Sequence, residues 1–499
     1  MNSSIKMRSA VCIAALVAGG AAQADVTAQE VWDSWKDQMG MYALADISVG
    51  SEEMSGNTLV VSNLSVSTSA PDISTNYSID ELRFEESGGN VIITMSDSYP
   101  ISITPEGNVV ITLEAKNTGL EIVVSGEADA MSYDMSADSI SIGLKDIVDG
   151  GMTFTGDAMI TLNDLAGNYT TTKTDMLTIG YDMNIASTDI LVDIQIPGGE
   201  GEYVTGGGKI SGMNMVATVA MPLDANFEDP EMLFSGGFAI DGGYTVEGAD
   251  YIFDVNADGE QLAGSMTMGA TEFAIAANRA AVAYDVSAND VAVSATGSEV
   301  PFPIDISFAE YGIGVEMPIG KSDKPENFRA SISLVDMAVN EMIWSMIDPG
   351  SVLPHDPATL QIALSGTAKP MIDMMNPEEQ ATLSPGNLPY ELNTLSLDTL
   401  NVSAVGAAIT GAGDFTFDPK DTQTFAPFPR PEGEVAIKVN GLNQLIDNLI
   451  AMGLVPEEEV MGPRMMIGMF AQTTGDDQLE TALEVNGEGH VLVNGQRVK

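Results

Sequence analysis

The sequence predicts a mainly β protein. We expect a large, twisted antiparallel meander sheet, curled into a groove, an open barrel or a sandwich, with a few short helices at the N-terminus and in the C-terminal third. Three observations lead there. Apolar residues recur with period two from about residue 43 to 333, the pattern of a sheet with one face on a core and one in water. Turn-forming pairs separate these runs, and glycine totals 50. Between the runs there are no 10–15-residue amphipathic stretches of the kind that parallel strands need for their crossovers.

The elements follow in chain order. Lys6 and Arg8 precede a small, apolar stretch from Ala10 to Ala22, and Ala22-Gln23-Ala24 has the small-x-small pattern of a signal-peptidase site. Cleavage is expected between Ala24 and Asp25. The one cysteine, Cys12, lies inside this leader, so the mature chain forms no disulfide, Cys-ligated zinc site, iron–sulfur cluster or thiol nucleophile. No later stretch is long and apolar enough to span a bilayer as a helix. The chain is expected in the periplasm of a Gram-negative cell, as a soluble protein. Residues 1–24 are read as signal peptide, 25–325 as a mainly β part, and 326–499 as a mixed β/α part continuous with the same sheet.

Residues 26–42 read as a helix. Thr27 with Glu30 fits a capping box, and Val31, Trp32, Trp35 and Met39 follow at helical spacing, which suits packing on the sheet. Then come the alternating runs. Tyr251/Phe253/Val255, Val282/Tyr284/Val286/Ala288, Ile304/Ile306/Phe308 and Tyr311/Ile313/Val315/Met317 are the clearest. Turns are expected at Gly88-Gly89-Asn90, Gly198-Gly199, Gly206-Gly207-Gly208, Gly242-Gly243 and Asp258-Gly259. Helical spacing returns at 340–347, stopped by Asp348-Pro349, within 370–380, and at Leu442 to Ile450. Glu457 to Phe470 continues it, with Pro463 as an interruption. Strands alternate with these helices, ending in a hairpin from Leu479 to Val493 with a four-residue turn.

Charge excludes whole classes of partner. Seventy-two acidic residues face 19 basic ones, for a formal charge of −53. Such a surface repels nucleic acid and anionic lipid alike. Catalytic signatures are also lacking. His355 sits in the rigid turn Leu353-Pro354-His355-Asp356-Pro357 and His490 opens the last strand; no G-x-S-x-G elbow surrounds any serine, and both histidines read as solvated or capping. Asp254-Val255-Asn256-Ala257-Asp258-Gly259 begins like a calcium loop, but position twelve is Ser265 and the hairpin reading wins. Gly206-Gly207-Gly208-Lys209 and Gly320-Lys321-Ser322 fail as phosphate loops, because Tyr203 and Val315 stand where glycine is required. Thirty methionines cluster at Met371/Met374/Met375 and Met461/Met465/Met466/Met469; i+4 spacing favours core or an apolar contact surface over a copper site. No catalytic, cofactor-binding or metal residue is expected.

Several motifs together carry a resemblance. They are Trp344 with Asp348-Pro349, Leu353 to Ala358, Leu400 to Ala407 leading into Gly411 to Asp418, and Arg430-Pro431-Glu432-Gly433. Leu445-Ile446-Asp447, Met452-Gly453-Leu454 and Met461 to Met466 join them, with Thr27 to Trp32 at the start. Across nearly the whole mature chain these resemble the exported bacterial family of domain of unknown function 2125 (DUF2125), which has no established activity to carry over. The succession of short strands, turns and a helix of the Leu442 to Ile450 type is also similar to AsmA-like periplasmic proteins, which implies a long curled sheet with an apolar groove used in envelope lipid handling. The functional expectation is a non-catalytic envelope protein that holds a lipid or a partner's apolar segment. The alternatives are a scaffold with a filled core, and a hydrolase using an acidic pair.

Overall fold

A computed structural model describes residues 26–499 except 42–44, 71–72, 106–108, 155, 196–200, 228, 384–387 and 427. The expected cleavage pair Ala24–Asp25 and the Gly198-Gly199 turn lie outside the described residues. Among the described residues all 28 strands join one sheet, and every pairing between them is antiparallel. Six helices among the described residues accompany it: α1 (Ala28–Met41), α2 (Pro230–Ser235), α3 (Glu341–Ile347), α4 (Pro377–Ala381), α5 (Leu442–Ala451) and α6 (Glu457–Phe470). The mainly β expectation holds.

The connectivity is a meander of long rungs. Ala130–Asp149, Met176–Gln195 and Tyr203–Pro222 each run 20 residues, several times the usual ~5–6. Some rungs are split into two collinear strands. Asn90–Met95 and Ser98–Pro105 both pair with Ile73–Ser87, and Val109–Thr118 and Glu121–Glu127 both pair with Ala130–Asp149. Ala239–Val246 and Gly248–Ala257 share Tyr203–Pro222 in the same way. About twenty rungs at ~4.8 Å each make a sheet on the order of 95 Å long. Among the described residues, Ala45–Ser48 and Ser51–Ser55 at one end pair only with Thr58–Ala70, and Gln496–Arg497 at the other only with Val491–Val493. The sheet is therefore open, neither a closed barrel nor a two-sheet sandwich.

A crease crosses the rungs. Asn63, Asp164, Gly212, Asp290 and Asp336 have φ between 48° and 61°, the left-handed region, in mid-strand. At Asp164 register does not slip: Asn163↔Ser187 is followed by Leu165↔Ile185, which sets Asp164 against Ala186; at Asp336 it shifts by one against the following strand, between Leu334↔Leu360 and Met337↔Ala358. Apolar positions change phase at this point, from Leu162 to Leu165 in one strand and from Ile140 to Ala137 in its neighbour. Both sets nonetheless pack in one cluster with Met183 and Ile185. At Asp164 a single left-handed residue turns the facing of its strand by one position, the neighbouring strand makes the same change without one, and the apolar residues stay on one side of the sheet. Asn and Asp occupy these positions because their side chains tolerate that conformation best after glycine.

The crease corrects two readings of the sequence. Ile304/Ile306/Phe308 and Tyr311/Ile313/Val315/Met317 are halves of one strand, Val300–Pro318, not two. Gly206-Gly207-Gly208 and Gly242-Gly243 are not turns but strand interiors. There they permit close approach: a Cβ on Gly206 would stand 2.6 Å from the Ile252 carbonyl oxygen. Asp258-Gly259 is a hairpin turn as expected, with φ of 55° and 82°. Two further corrections concern the C-terminal end. α6 runs through Pro463 without breaking, and the last hairpin turns over Asn486 to His490, five residues, with the Asn486 amide donating to the His490 carbonyl at 3.1 Å.

The sheet is curled at its start. Lys36 of α1 reaches Glu52 on the first rung at 3.4 Å, while the adjacent Asp37 receives Lys173 of the seventh rung at 2.9 Å. Six inter-strand steps cover about 29 Å on a flat sheet, more than two side chains on one helix can bridge, so the rungs wrap around α1. Trp32 and Val31 are fully buried there, against Phe84, Leu59, Val61, Val91 and Val124. Elsewhere the apolar face is less covered. The accessible surface is 28197 Å², against about 17,500 Å² for a compact protein of this mass. The residues outside the described set are too few to account for the difference.

Candidate functional site

The site begins beneath α1. Its N-terminus is fixed by the expected capping box: the Thr27 amide and hydroxyl donate to Glu30 Oε2 at 2.9 and 2.8 Å, and the Glu30 amide donates back to Thr27 Oγ1 at 3.3 Å. Glu86 of the sheet accepts from the Ala28 amide at 2.9 Å. Trp32 and Trp35 clasp Phe84 with ring centroids 5.8 and 5.5 Å away. This clamps the first half of the helix. Its second half stands over a cavity of about 460 Å³ lined by Trp35, Met39, Val66, Tyr77, Ile122 and Met135 among others. That size lies within the range of ligand pockets, ~300–1,000 Å³.

The cavity is greasy with a few polar handles. Tyr169 donates to Gln38 Oε1, and the rings of Tyr133, Tyr169 and Tyr181 meet edge-on and tilted across three rungs, with centroids 5.2 and 5.1 Å apart. Burial pushes the phenols of Tyr133, Tyr77 and Tyr99 upward, so they stay neutral. They can donate or accept a hydrogen bond but supply no charge.

From the cavity an apolar row runs along the sheet, residue directly opposite residue. Ile122 faces Met135, Met135 faces Gly167, and Gly167 faces Met183. Met215, Tyr244, Phe273 and Val286 continue it. Ile313, Ile332, Ile362 and Leu400 follow, and Gly411 leads to Ile437. A second row lies beside it. It passes from Tyr133 through Tyr169, Tyr181, Ala217, Gly242 and Ile275 to Tyr284, then through Val315, Ala330, Leu364 and Leu397 towards Val435 and Leu483. Neither row contains an ionisable group other than tyrosine. The track stays open to solvent over its middle: Tyr244 and Ile332 are each 39% exposed and Tyr284 is 40% exposed. It ends under α5–α6, where a second apolar cavity of about 280 Å³ is lined by Ile437, Val439, Ile467 and Leu479.

The opposite face is polar and internally bonded. Arg329 donates to both Asp285 oxygens at 2.8 and 2.5 Å. Asn401 donates to Gln361 at 3.0 Å, and Gln361 to Ser333 at 3.3 Å, along three neighbouring rungs.

The remaining sequence candidates fall elsewhere. His355 is not solvated. It stacks on Trp344 at 4.4 Å and 5° between planes, with Nδ1 3.1 Å from Glu341 Oε2. Its neighbour Asp348 is buried and accepts from the Leu353 amide at 2.6 Å. This is a packed turn after α3. Met342, Met346 and Ile347 of α3 are exposed, while Ile343 and Trp344 are half-buried. His490 stands 3.2 Å from Glu488. Asp254 accepts from Tyr203 and Gln261 at 3.0 Å. Among the described residues no group of three or more His, Cys, Asp or Glu is placed to hold a metal ion. Nor is any helix there long and apolar enough to cross a membrane. Met461, Met465 and Met469 are exposed, not core. Sequence reading missed Gln38, Tyr133 and Tyr169, because nothing within one strand marks which residues will stand opposite each other.

No curated protein matches the chain. A family model described as "Uncharacterized protein conserved in bacteria (DUF2125)" matches residues 237–495. The match contains every C-terminal motif from Trp344 to Met466, whereas Thr27 to Trp32 and the α1 cavity lie outside it. Since it covers just over half of the sequence, the chain belongs to the DUF2125 family.

Proposed function

We propose that this is an exported envelope protein, periplasmic in a Gram-negative cell, that holds the acyl chains of a lipid along its apolar track without catalysing a reaction. The observation that carries the reading is the double row from the α1 cavity to Ile437, unbroken by charge and open to solvent. Apolar stripes of this extent stay exposed on soluble surfaces only where something covers them. Each Å² covered is worth about 25 cal/mol, so an elongated apolar ligand gains along the whole length. Methionines on the track adapt to chains of varying shape.

The long curled sheet agrees with the layout likeness to AsmA-like proteins, which is fold-level support. The scaffold alternative fits less well, since the middle of the track is uncovered. Asp305, Glu379 and Asp421 do not serve the hydrolase alternative as its acid: the donors around them hold them below ordinary carboxylate values, the reverse of what a proton donor requires. Native mass spectrometry on protein purified without detergent tests the proposal. Co-purified lipid, and uptake of a fluorescent fatty acid, are expected; neither being seen would overturn it. Sequencing the N-terminus of exported protein tests the Ala24–Asp25 cut.

A further inference from the structure

The α5–α6 pair closes the far end of the track, but α6 is apolar on both sides. Val460, Arg464 and Ile467 face inward. Arg464 ties α6 to α5 through Asp447 at 2.5 Å, and Thr481 and Asn494 both donate to the Phe470 carbonyl at 2.8 Å. The helix is thus pinned to the sheet at its end. Outward, Met461, Met465 and Met469 recur at i+4 and are 64%, 69% and 70% exposed. A helix wet on one side ordinarily carries polar residues there, and a flexible thioether surface is suited to receiving another helix.

Charge selects the occupant. Residues 440–485 hold eight carboxylates and one cation, Arg464, which is already paired. Glu457, Glu458 and Glu459 form the first turn of α6, one turn from Met461. A second copy of so acidic a chain is repelled, as is an anionic bilayer. We propose that the Met461–Met465–Met469 face docks an amphipathic helix of a partner protein, with an apolar stripe on the methionines and basic residues against Glu457–Glu459.

The test uses the full chain and a fluorescein-labelled Leu/Lys amphipathic peptide roughly as long as α6, ~14 residues, at ionic strength of about 0.15 M. Fluorescence anisotropy should show binding that weakens at least ~10-fold in M461Q/M465Q/M469Q, which leaves net charge unchanged. The variant E457Q/E458Q/E459Q should weaken binding and flatten its salt dependence. Bound peptide should also slow peroxide oxidation of the three methionines. Thermal unfolding of both variants verifies that the fold is kept. Equal binding by the methionine variant would mean that bulk charge alone attracts the peptide, and would overturn the proposal. So would equal binding of a Leu/Glu peptide, or protection of the same methionines by phosphatidylcholine vesicles or self-association in place of the peptide.

Discussion

Single residues decide whether the rungs can lie together. Gly206 and Gly208 leave room for neighbouring carbonyls that a Cβ would strike. Substituting Gly206→Val should therefore cost about 1–3 kcal/mol, as overpacking does, read as a lower urea midpoint. Trp32 fills the space between α1 and Phe84, and Trp32→Ala should cost about 3–5 kcal/mol; an unchanged midpoint would mean that α1 is not clamped. Asn340 shows a more local coupling. Its Oδ1 caps α3 at the Ile343 amide, while its amide nitrogen donates to Asp305 at 2.8 Å. Hydrogen bonds from Ser294 and Asn340 lower the Asp305 pKa. A carboxyl lowered on folding stabilises the fold above its unfolded pKa and loses that contribution as pH falls through the folded value. The α3 turn should then loosen in acid, seen as faster amide exchange at Ile343 below pH ~4 than at pH ~7 after correction for intrinsic rates; D305N should show no such acid-dependent difference.

At the scale of elements, much was legible. Period-two alternation gave strands, the Thr27–Glu30 pair gave the start of α1, and Asp348-Pro349 gave the end of α3. The crease was not legible. A phase change across Ala309-Glu310 reads like two short strands with a turn, because periodicity alone cannot tell a crease in a continuing strand from a reversal; the left-handed residue at this point is Asp290 of the neighbouring strand. Strand glycines misled for a related reason: Gly-Gly marks turns through its freedom, yet in Gly242-Gly243 what matters is missing bulk. The crease makes its own prediction. Asp290→Gly should be neutral or mildly stabilising, whereas Asp290→Val should cost about 1–2 kcal/mol, because a β-branched residue resists φ near 50°. Thermal unfolding of the two variants checks the order. The α1 cavity was hidden from the sequence because Tyr133 and Tyr169, 36 positions apart, meet only through strand register.

The whole molecule is an open, one-sided sheet with uneven covering. Buried residues concentrate between Val26 and Tyr133 and thin out beyond Met221. In a stacked array each rung is held mainly by its neighbours, so stability should grade along the chain. Hydrogen exchange should find the strands around α1 best protected and those near Val491–Val493 least. The polar face carries the charge that keeps such a sheet apart from its copies. Lowering pH towards the sequence pI of about 4.1 should aggregate the protein; full solubility there would remove charge from this account.

The central claim is that the apolar track, and not the sheet as a whole, carries the ligand. Photo-crosslinking residues placed at Val286 and Ile332 on the track, and at Thr267 on the polar face, test it most directly in cells. The account predicts lipid adducts at Val286 and Ile332 and none at Thr267. Adducts at all three positions, or at none, would contradict it.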